Sequence, residues 1–505
     1  MAQLRVLIVG ASIAGPAAAY WFAKGGARVT IIERFPQLRT NGQNVDIRTI
    51  GVTVMCKMPG LEEAVRAKRL SLSGISFVDT HDRPFATFRA TGDPDQQSLV
   101  SEYEILRGDL SRILYDMTRT HENVQYVFGE QVAAFDYHSG PDGPVTVTFA
   151  NNTLPPTEFD LVVAADGATS RTRALALSCS VREHARPTGL WAAYFTLTKD
   201  LIKESEMGHA YNAPGGLFIA AGQHPSQPGC SQVTIIRNTG SDAGNPNDPG
   251  SLAAFRSATA TATTTTKTTP KTETNHPQDD KNLTLTTQPE DNTAPLRAFI
   301  AHSIANKGWY TNTIASALLN SSSPGHGHES SSSSEHEHSS EHGQGQEQPQ
   351  IRDFYTTEIS QIHLPTLFHN YRIALLGDAG YAPGPTGAGT SLALAGAYFL
   401  AGEVFSHLSK SDRNNGSENH DLSAALKRYD EVMKPLVKEL RQIPFGLRGM
   451  MAPRTGWGLR VRNWVMGWVC WVGVVGWVQG WIARGAFGRR GEEGAREYQW
   501  DGPVE

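Results

Sequence analysis

The first 34 residues constrain the fold of this 505-residue chain more than any other stretch. An almost continuous apolar run at 4–9 predicts a strand that is buried on both faces. A glycine loop at 10–15, an alanine-rich helical segment and a second apolar run at 27–32 follow, and the second run ends at Glu33. A dinucleotide-binding βαβ unit requires a strand, a glycine loop, a helix, a second strand and an acid in this order.

Small residues of the loop have distinct physical roles. Gly10 allows the tight turn, and Gly15 allows the helix and the strand to pack closely. Ser12, where the usual motif has a second glycine, lets the backbone approach a pyrophosphate at the helix N-terminus. Glu33 lies where a carboxylate accepts both hydroxyls of a ribose. The alternative, a βαβ unit without a nucleotide, stays open.

Length and composition limit the classes of protein to which the chain can belong. A chain of this length predicts two domains with appendages, and a net charge of −5 gives no argument for nucleic acid as a partner. Four distant cysteines indicate neither a disulfide framework nor a thiolate metal site. The N-terminus lacks the charged and apolar regions of a signal peptide, so we expect a cytoplasmic catalytic body.

A second, sheet-rich domain is predicted by alternating apolar and polar residues. Early in the chain, strands are predicted at 75–78 and 85–88, and an amphipathic helix is predicted to start at 104 and to include 104–114. The strands of the second domain are expected at 190–197, 217–221 and 232–237. A helical piece at 295–319 would belong to the same domain. The apolar run at 371–380 then returns to the first domain, and an alanine-rich helix at 390–404 and an amphipathic helix at 422–443 follow it.

Two low-complexity stretches interrupt this domain. Residues 257–292 are rich in threonine, and residues 321–350 consist mainly of Ser, Glu, His, Gly and Gln. Neither stretch buries enough apolar area to offset the entropy of ordering, so both are predicted to be disordered insertions. Without a fixed scaffold, no specific metal site is predicted for the histidines of the second insertion, His326, His328, His336, His338 and His342.

The tail of the chain is rich in tryptophan. Residues 464–483 contain five tryptophans and, among strongly polar residues, only Gln479. A helix of about twenty residues spans about 30 Å, the thickness of a bilayer core, whereas tryptophan favours membrane interfaces. The sequence leaves open whether this segment spans a membrane, lies flat on it or packs on the protein body.

Two further motifs occur in order along the chain. Residues 166–173 fit the pattern DGxxSxxR, and Gly377-Asp378 precedes a PxxGxG-type loop at 383–389. With the first loop, they resemble the para-hydroxybenzoate-hydroxylase-like family of FAD monooxygenases. The resemblance covers about 4–240, 295–320 and 351–445. Shorter similarities point to its branch of tetracycline-modifying and secondary-metabolite hydroxylases, at 44–48, 104–107, 211–216 and 390–403.

The resemblance implies an α/β fold. A Rossmann-like FAD-binding domain of the GR2 type would be interleaved with a β-sheet substrate domain and followed by a C-terminal helical tail. The implied boundaries are 1–175 for the first part of the FAD-binding domain, with strands near 72–100 contributed to the substrate domain, 176–365 for the substrate domain with its two insertions, 366–445 for the second part of the FAD-binding domain, and 446–505 for the tail.

The resemblance also implies the residues that bind the cofactor. They are Gly10, Ser12, Ala14, Gly15, Glu33, Arg34, Asp46, Arg48, Arg107, Asp166, Gly167, Asp378, Gly387, Ala388 and Gly389. Glu33 would hold the adenosine ribose, Arg107 the pyrophosphate or ribityl region, and Asp378 a ribityl hydroxyl. The amides of 387–389 would face the O2 edge of the flavin. Asp46 and Arg48 would contact the flavin; the alternative is that they are solvated loop charges.

Other implied roles are less specific. Asp166 would belong to the loop that is associated with both nucleotides. No substrate base is identified, and four candidates in the second domain are chosen by location only: Tyr194, His209, Tyr211 and Arg237. Two departures from the family pattern stand out, because Gly380-Tyr381 replaces the Ala-His of many relatives and Gly396 replaces their Asp.

The resemblance implies an FAD-dependent monooxygenase of secondary metabolism. NADPH or NADH would reduce the flavin, and one oxygen atom of O2 would pass to a small, electron-rich substrate by hydroxylation or epoxidation, without a metal. One alternative is a flavin reductase or halogenase on the same fold, although the WxWxIP string of halogenases does not occur. The other is a non-catalytic, membrane-tethered flavin-binding protein.

Overall fold

The computed structural model describes most of the chain. The described residues are 3–39, 42–70, 72–89, 102–137, 143–203, 205–240, 248–265, 293–321, 348–370, 372–411, 422–443, 447–472 and 496–500.

The described residues form strands and helices in an α/β arrangement. The strands are β1 (Arg5–Val9), β2 (Arg28–Glu33), β3 (Asn44–Asp46), β4 (Gly74–Val78), β5 (Pro84–Arg89), β6 (Glu104–Leu106), β7 (Val124–Phe128), β8 (Val132–Asp136), β9 (Val145–Phe149), β10 (Thr157–Phe159), β11 (Leu161–Ala164), β12 (Ala185–Leu197), β13 (Met207–Ala213), β14 (Leu217–Gln223), β15 (Ser231–Asn238), β16 (Ile351–Ile362), β17 (Phe368–His369) and β18 (Ile373–Leu375). The helices are α1 (Ala14–Lys24), α2 (Ile50–Cys56), α3 (Leu61–Lys68), α4 (Arg107–Asp116), α5 (Arg171–Ala176), α6 (Leu252–Thr265), α7 (Ala294–Ile304), α8 (Thr311–Asn320), α9 (Asp378–Tyr381), α10 (Gly389–Ser411), α11 (Ser423–Leu440), α12 (Leu447–Met451) and α13 (Gly456–Val472).

The first sheet has six strands in the order β17-β18-β11-β1-β2-β7. Strand β1 pairs in parallel with β2 on one side and with β11 on the other. Its residues are buried on both faces: Val6 and Ile8 pack in one hydrophobic cluster, and Leu7 and Val9 pack in another. The continuous apolar run of the sequence therefore has the cause that we predicted, a central strand covered on both sides.

The second sheet has seven strands in the order β16-β12-β15-β14-β13-β4-β5. Strands β4 and β5 reach it from the early part of the chain. One face packs against α6, α7 and α8 around Trp191 and Phe195. Tyr194 points to the opposite face, because successive side chains of a strand alternate. Sequence reasoning found five of these strands and missed β13 and β16.

Three sequence predictions need correction. Residues 104–106 form strand β6, which pairs with β3, and helix α4 begins only at Arg107. The predicted disorder at 257–292 is wrong for 257–265, because α6 extends to Thr265 and its Phe255 ring stacks on Trp191 at 5.6 Å. The predicted disorder at 321–350 is wrong at both ends, because Ser321 and Gln350 make backbone hydrogen bonds. The rest of both insertions lies outside the described residues.

The C-terminal part contains helices, as predicted. Helix α13 packs against β5 and β13 of the second sheet, and residues 496–500 pack against the first domain. Residues 473–495 lie outside the described residues. One described helix, Gly389–Ser409, is long and apolar enough to cross a membrane, but 78% of it is buried inside the fold. It is the core helix α10.

Candidate functional site

The glycine loop closes tightly between β1 and α1. Gly10 has a φ of +110°, and a Cβ atom added there would lie 2.6 Å from the carbonyl oxygen of Ala165. A Cβ atom added at Gly15 would lie 1.9 Å from the carbonyl oxygen of Gly10. Larger residues at either position would therefore force strand β1, helix α1 and the loop after β11 apart.

Arg107 lies over this loop. Its Nη2 donates a hydrogen bond of 2.6 Å to Ser12 Oγ, and Ser111 Oγ donates to the Ser12 carbonyl oxygen at 3.2 Å. A Cβ atom added at Gly42 would lie 3.1 Å from Arg107 Cδ, so the segment before β3 also touches this side chain. The first residue of α4 thus brings a forked cation to the N-terminus of α1, a position that attracts anions.

Glu33 also turns toward the loop. Its Oε2 accepts a hydrogen bond of 2.9 Å from the Ala11 amide, and its Oε1 accepts one of 3.2 Å from the Phe35 amide. A carboxylate has about four acceptor sites, so these two bonds leave capacity for the hydroxyls of a ribose. Arg34 is exposed, and its guanidinium lies 4.8 Å from the centre of the Phe35 ring.

Asp378 is the first residue of α9 and lies beside the start of α10. Solvent reaches its side chain, yet the surrounding protein raises the pKa of this carboxyl by burial, and Arg107 opposes the shift. A Cβ atom added at Gly389, the first residue of α10, would lie 3.5 Å from Asp378 Oδ1. The site therefore joins an acid to the N-terminus of a long helix.

The β3–β6 ribbon carries a second charged group into this region. Arg48 Nη2 lies 3.1 Å from Asp46 Oδ2, and the Arg48 amide donates to Ser391 Oγ of α10 at 2.8 Å. A Cβ atom added at Gly387 would lie 3.8 Å from Asp46 Oδ2. Burial raises the pKa of Asp46, and Arg48 opposes that shift. Asp46 and Arg48 are therefore paired and partly buried, not solvated loop charges.

Glu104 faces Asp46 across the same ribbon, as its register partner. Burial raises the pKa of Glu104 to about 7, and the charge of Asp46 contributes to this shift. Asn44 Nδ2 donates a hydrogen bond of 3.0 Å to Glu104 Oε1. Sequence reasoning did not assign Glu104 to the site, because it placed this residue at a helix start. The signal in the sequence that could have assigned Glu104 to the site was its position three residues before Arg107.

The DGxxSxxR loop is stabilised by hydrogen bonds between its own residues. The Asp166 carboxylate accepts hydrogen bonds from Ser170 Oγ and from the amide and hydroxyl of Thr172. Gly167 has a φ of +86°, and a Cβ atom there would meet only open space. These contacts define the fold of the loop, whereas contact of Asp166 and Gly167 with a nucleotide stays a prediction.

Arg173, the last residue of this motif, connects two loops. It is fully buried. Its Nη1 donates to the carbonyl oxygen of Ala379 at 2.7 Å, and its Nη2 donates to those of Ala168 and Val181 at 2.9 and 2.8 Å. Because Ala379 follows Asp378, this guanidinium fixes the loop after β11 relative to the acid of α9.

The four residues of the second domain that are candidates for a substrate base separate into two groups. The Tyr194 ring stacks at 6.2 Å on Tyr355, and the guanidinium of Arg39 from the first domain lies 5.4 Å from the Tyr355 ring. Burial raises the pKa of Tyr194. The other three are bonded within their own domain: His209 to Asp82, Tyr211 to the Lys307 carbonyl oxygen, and Arg237 to Asp248. Tyr194 thus stacks on a ring that a cation of the first domain approaches, whereas the contacts given for the other three lie within the second domain.

Both departures from the family pattern occur at one contact. A Cβ atom added at Gly396 would lie 1.9 Å from the hydroxyl of Tyr381. Tyr381 is buried, and its hydroxyl accepts a hydrogen bond from Tyr429 at 3.3 Å. The tyrosine at 381 therefore requires the glycine at 396.

A metal site is not formed by the described part of the chain, in which no group of three or more His, Cys, Asp or Glu residues comes together. The five histidines of the second insertion lie outside it.

A family model described as an FAD binding domain matches residues 3–287, more than half of the chain. The chain belongs to this FAD-binding family. The FAD-dependent monooxygenase asL4 of Sarocladium schorii is 29% identical over 478 residues, which cover 92% of each chain. The flavin-dependent monooxygenase eupH of a Phoma species is also 29% identical and covers 92% of each chain. The predicted family and enzyme class, a flavoprotein monooxygenase, are confirmed.

Solved structures show the same fold. The tetracycline destructase Tet(51) superposes with a TM-score of 0.62 at 20% identity, covering 93% of this chain and 97% of its own. Klebsiella pneumoniae HpxO, in complex with FAD and uric acid, superposes with a TM-score of 0.57 at 17% identity. The match covers 94% of this chain and 95% of HpxO. The predicted α/β fold is thereby confirmed, and the match to the FAD-binding family confirms the predicted FAD cofactor.

The residues of this flavoprotein fit FAD on physical grounds. Gly10 and Gly15 leave no room for larger side chains, the forked cation Arg107 lies over the N-terminus of α1, and the exposed acid Asp378 lies next to the start of α10. Such donors match a pyrophosphate, and such an acid matches a polyol chain.

Proposed function

We propose that this flavoprotein uses NADPH or NADH and O2 to hydroxylate or epoxidise a small, electron-rich organic molecule in secondary metabolism. The observation that carries the proposal is that four separate segments lie next to one another at one site: the glycine loop, the β3–β6 ribbon, α9 and the start of α10. The monooxygenases named above match nearly the whole chain, which supports this reaction class over a reductase, a halogenase or a non-catalytic binder.

We assign the cofactor contacts as follows. The loop residues Gly10, Ser12, Ala14 and Gly15 would admit the pyrophosphate, with Arg107 as its cation. Glu33 and Arg34 would lie at the adenosine, and Asp166 and Gly167 at the dinucleotide. Asp378 would accept a ribityl hydroxyl, and the amides of Gly387, Ala388 and Gly389 would face the flavin ring, where the dipole of α10 favours negative charge. When bound, FAD supplies the redox and oxygen-transfer chemistry.

The chain itself would position this cofactor and control protons. Arg48, tied to α10 through Ser391, would fix Asp46 beside the flavin. Burial, together with the charge of the facing Asp46, raises the pKa of Glu104 to about 7. Glu104 can therefore take up and release a proton at its carboxyl oxygens at working pH.

The substrate would lie between the two domains. Tyr194 and Tyr355 present stacked rings on the face of the second sheet that the Arg39 guanidinium approaches. Aromatic rings next to a cation suit a planar aromatic or enolic molecule. No further residue is assigned to substrate binding.

We also propose that the tryptophan-rich tail attaches the catalytic body to a membrane, on its cytoplasmic side. Four tryptophans of α13 are exposed in the fold, which supports attachment over complete packing on the protein body.

Rapid mixing tests the reaction class. Anaerobic NADPH should bleach the oxidised flavin absorption band, slowly alone and faster with the substrate present. Mass spectrometry after O2 is admitted should then detect a product that is heavier by one oxygen atom. Reoxidation that yields only hydrogen peroxide, with the substrate bound, would contradict the proposal and indicate an oxidase or a reductase.

A further inference from the structure

Helix α13 presents an apolar surface to the solvent. Its exposed large side chains, with their exposed fractions, are Trp457 (76%), Val461 (40%), Trp464 (71%), Val465 (44%), Trp468 (51%), Trp471 (84%) and Val472 (44%). At 3.6 residues per turn these seven side chains fall within an arc of about 120°. We call this surface the tryptophan face. Other exposed large apolar side chains of the described residues are scattered, at Leu175, Leu319 and Met450.

The opposite side of α13 is fixed to the second sheet. Arg462 is buried, and its Nη2 donates to Asn212 Oδ1 at 2.8 Å. Met466 and Cys470 pack against the apolar cluster of β4 and β5 around Phe77. Because one side of the helix is anchored, the fold itself holds the tryptophan face outward.

The sequence that contains this face carries an excess of positive charge. Between residues 447 and 490 the sequence contains seven arginines and no Asp or Glu, although the whole chain has a net charge of −5. The arginines are Arg448, Arg454, Arg460, Arg462, Arg484, Arg489 and Arg490. Tryptophan prefers the headgroup level of a bilayer, and clustered arginines are attracted by anionic lipids.

The end of the chain determines how such a surface can meet a membrane. The Trp500 ring stacks on Trp21 of α1 at 4.9 Å, and Arg496 and Tyr498 both bond Glu403 of α10, at 2.8 and 2.7 Å. Residues 496–500 therefore lie on the same folded body as α13. If the chain crossed the bilayer once between α13 and residue 496, residues 496–500 would lie on the far side of a hydrocarbon core about 30 Å thick. The contacts of residues 496–500 with Trp21 and Glu403 are incompatible with such a crossing.

We propose that the tryptophan face binds the surface of an anionic phospholipid bilayer, with α13 parallel to the membrane plane and the protein held on one leaflet. This inference rests on the proposed membrane attachment, and it determines the mode that the sequence left open: flat, without a crossing. The lipid headgroups meet the exposed Arg454 and Arg460, and the indole rings enter the interface.

Vesicle sedimentation of the full-length holoprotein tests this inference. We expect binding to phosphatidylcholine vesicles that contain phosphatidylserine at least about tenfold tighter than binding to phosphatidylcholine alone, and weaker binding at high salt. The triple variant Trp464→Ser, Trp468→Ser and Trp471→Ser should lose at least about tenfold in affinity, because three large apolar side chains no longer enter the interface. The control Leu319→Ser, which removes an exposed apolar side chain from α8, should bind like the wild type.

Separate readouts distinguish this inference from the enzymatic proposal. The triple variant should keep its FAD content and its NADPH oxidation rate, because none of the three tryptophans belongs to the flavin site. No vesicle binding by the wild type, or equal binding by the triple variant, would overturn the inference. A dimer that the triple variant abolishes, without vesicle binding, would also overturn it and assign the face to a second copy. A C-terminal tag protected from protease inside sealed microsomes would refute attachment to one leaflet.

Discussion

Replacing Arg173 with lysine should loosen the flavin site without touching a residue that we assign to FAD. The guanidinium donates three hydrogen bonds to carbonyl oxygens that belong to three different segments, at Ala168, Val181 and Ala379. A lysine ammonium keeps the charge but lacks the planar fork, so it reaches about one of the three. Hydrogen bonds to charged groups contribute about 1.5–3 kcal/mol each, and the loss of two therefore destabilises the fold by about 3–6 kcal/mol.

Flavin fluorescence during heating measures this effect directly, because the release of FAD increases the fluorescence. We expect Arg173→Lys to release FAD at a clearly lower temperature and to bind it more weakly, since the Ala379 bond fixes the position of Asp378. Arg171→Lys is a matched control in the same helix, because this arginine is exposed and its Nη1 donates a hydrogen bond to the Gln131 side chain rather than to a buried carbonyl oxygen. A release temperature equal to that of the wild type, or an equal decrease in the control, would refute this reasoning.

Three further predictions concern the same site. Asp378→Ala should weaken FAD binding about ten- to a hundredfold while the apoprotein still folds, because a charge-assisted hydrogen bond is lost; titration of the apoprotein with FAD measures it, and unchanged affinity would remove Asp378 from the site. Glu104→Gln should flatten the pH dependence of stability. The folded pKa of Glu104, about 7, exceeds its ordinary value of 4.5, so the stability of the wild type falls as the pH rises from about 4.5 to about 7. Melting temperatures that fall equally in the variant over this pH range would contradict the prediction. Gly396→Asp should destabilise the fold by overlap with the Tyr381 hydroxyl, and the added change Tyr381→His should restore most of the loss; a double variant no more stable than Gly396→Asp would show that the overlap is not the cause.

Local patterns predicted those parts of the fold whose cause is local. The βαβ unit at the N-terminus was predictable because every requirement of its geometry appears within 34 consecutive residues. The Cβ distances at Gly10 and Gly15 confirm the steric reason for both glycines. The strands β4, β5, β12, β14 and β15 were predictable because each is a short run rich in apolar, aromatic and β-branched residues.

Elements that depend on distant partners could not be predicted in this way. Strand β6 has three residues, and it exists because β3 pairs with it from sixty residues earlier. Helix α6 continues through threonine-rich sequence, which has weak helix propensity, because Leu252 and Phe255 are buried against the second sheet. The role of Arg173 depends on a carbonyl oxygen 206 residues away, at Ala379. Long-range contacts of this kind leave no periodic signal in the sequence.

The contact between Tyr381 and Gly396 shows how a departure from a family pattern becomes interpretable. In the sequence, the two positions are separate exceptions in a loop and in a helix. In the fold, the Tyr381 hydroxyl occupies the space that any side chain at 396 would need, and Tyr429 and the Leu392 carbonyl oxygen hold that hydroxyl in place. Asp378 lies three residues before Tyr381 in the same short helix, so this buried tyrosine supports the acid that we assign to FAD. The two positions are therefore coupled in this chain, where the small residue at 396 makes room for a buried network of two tyrosines.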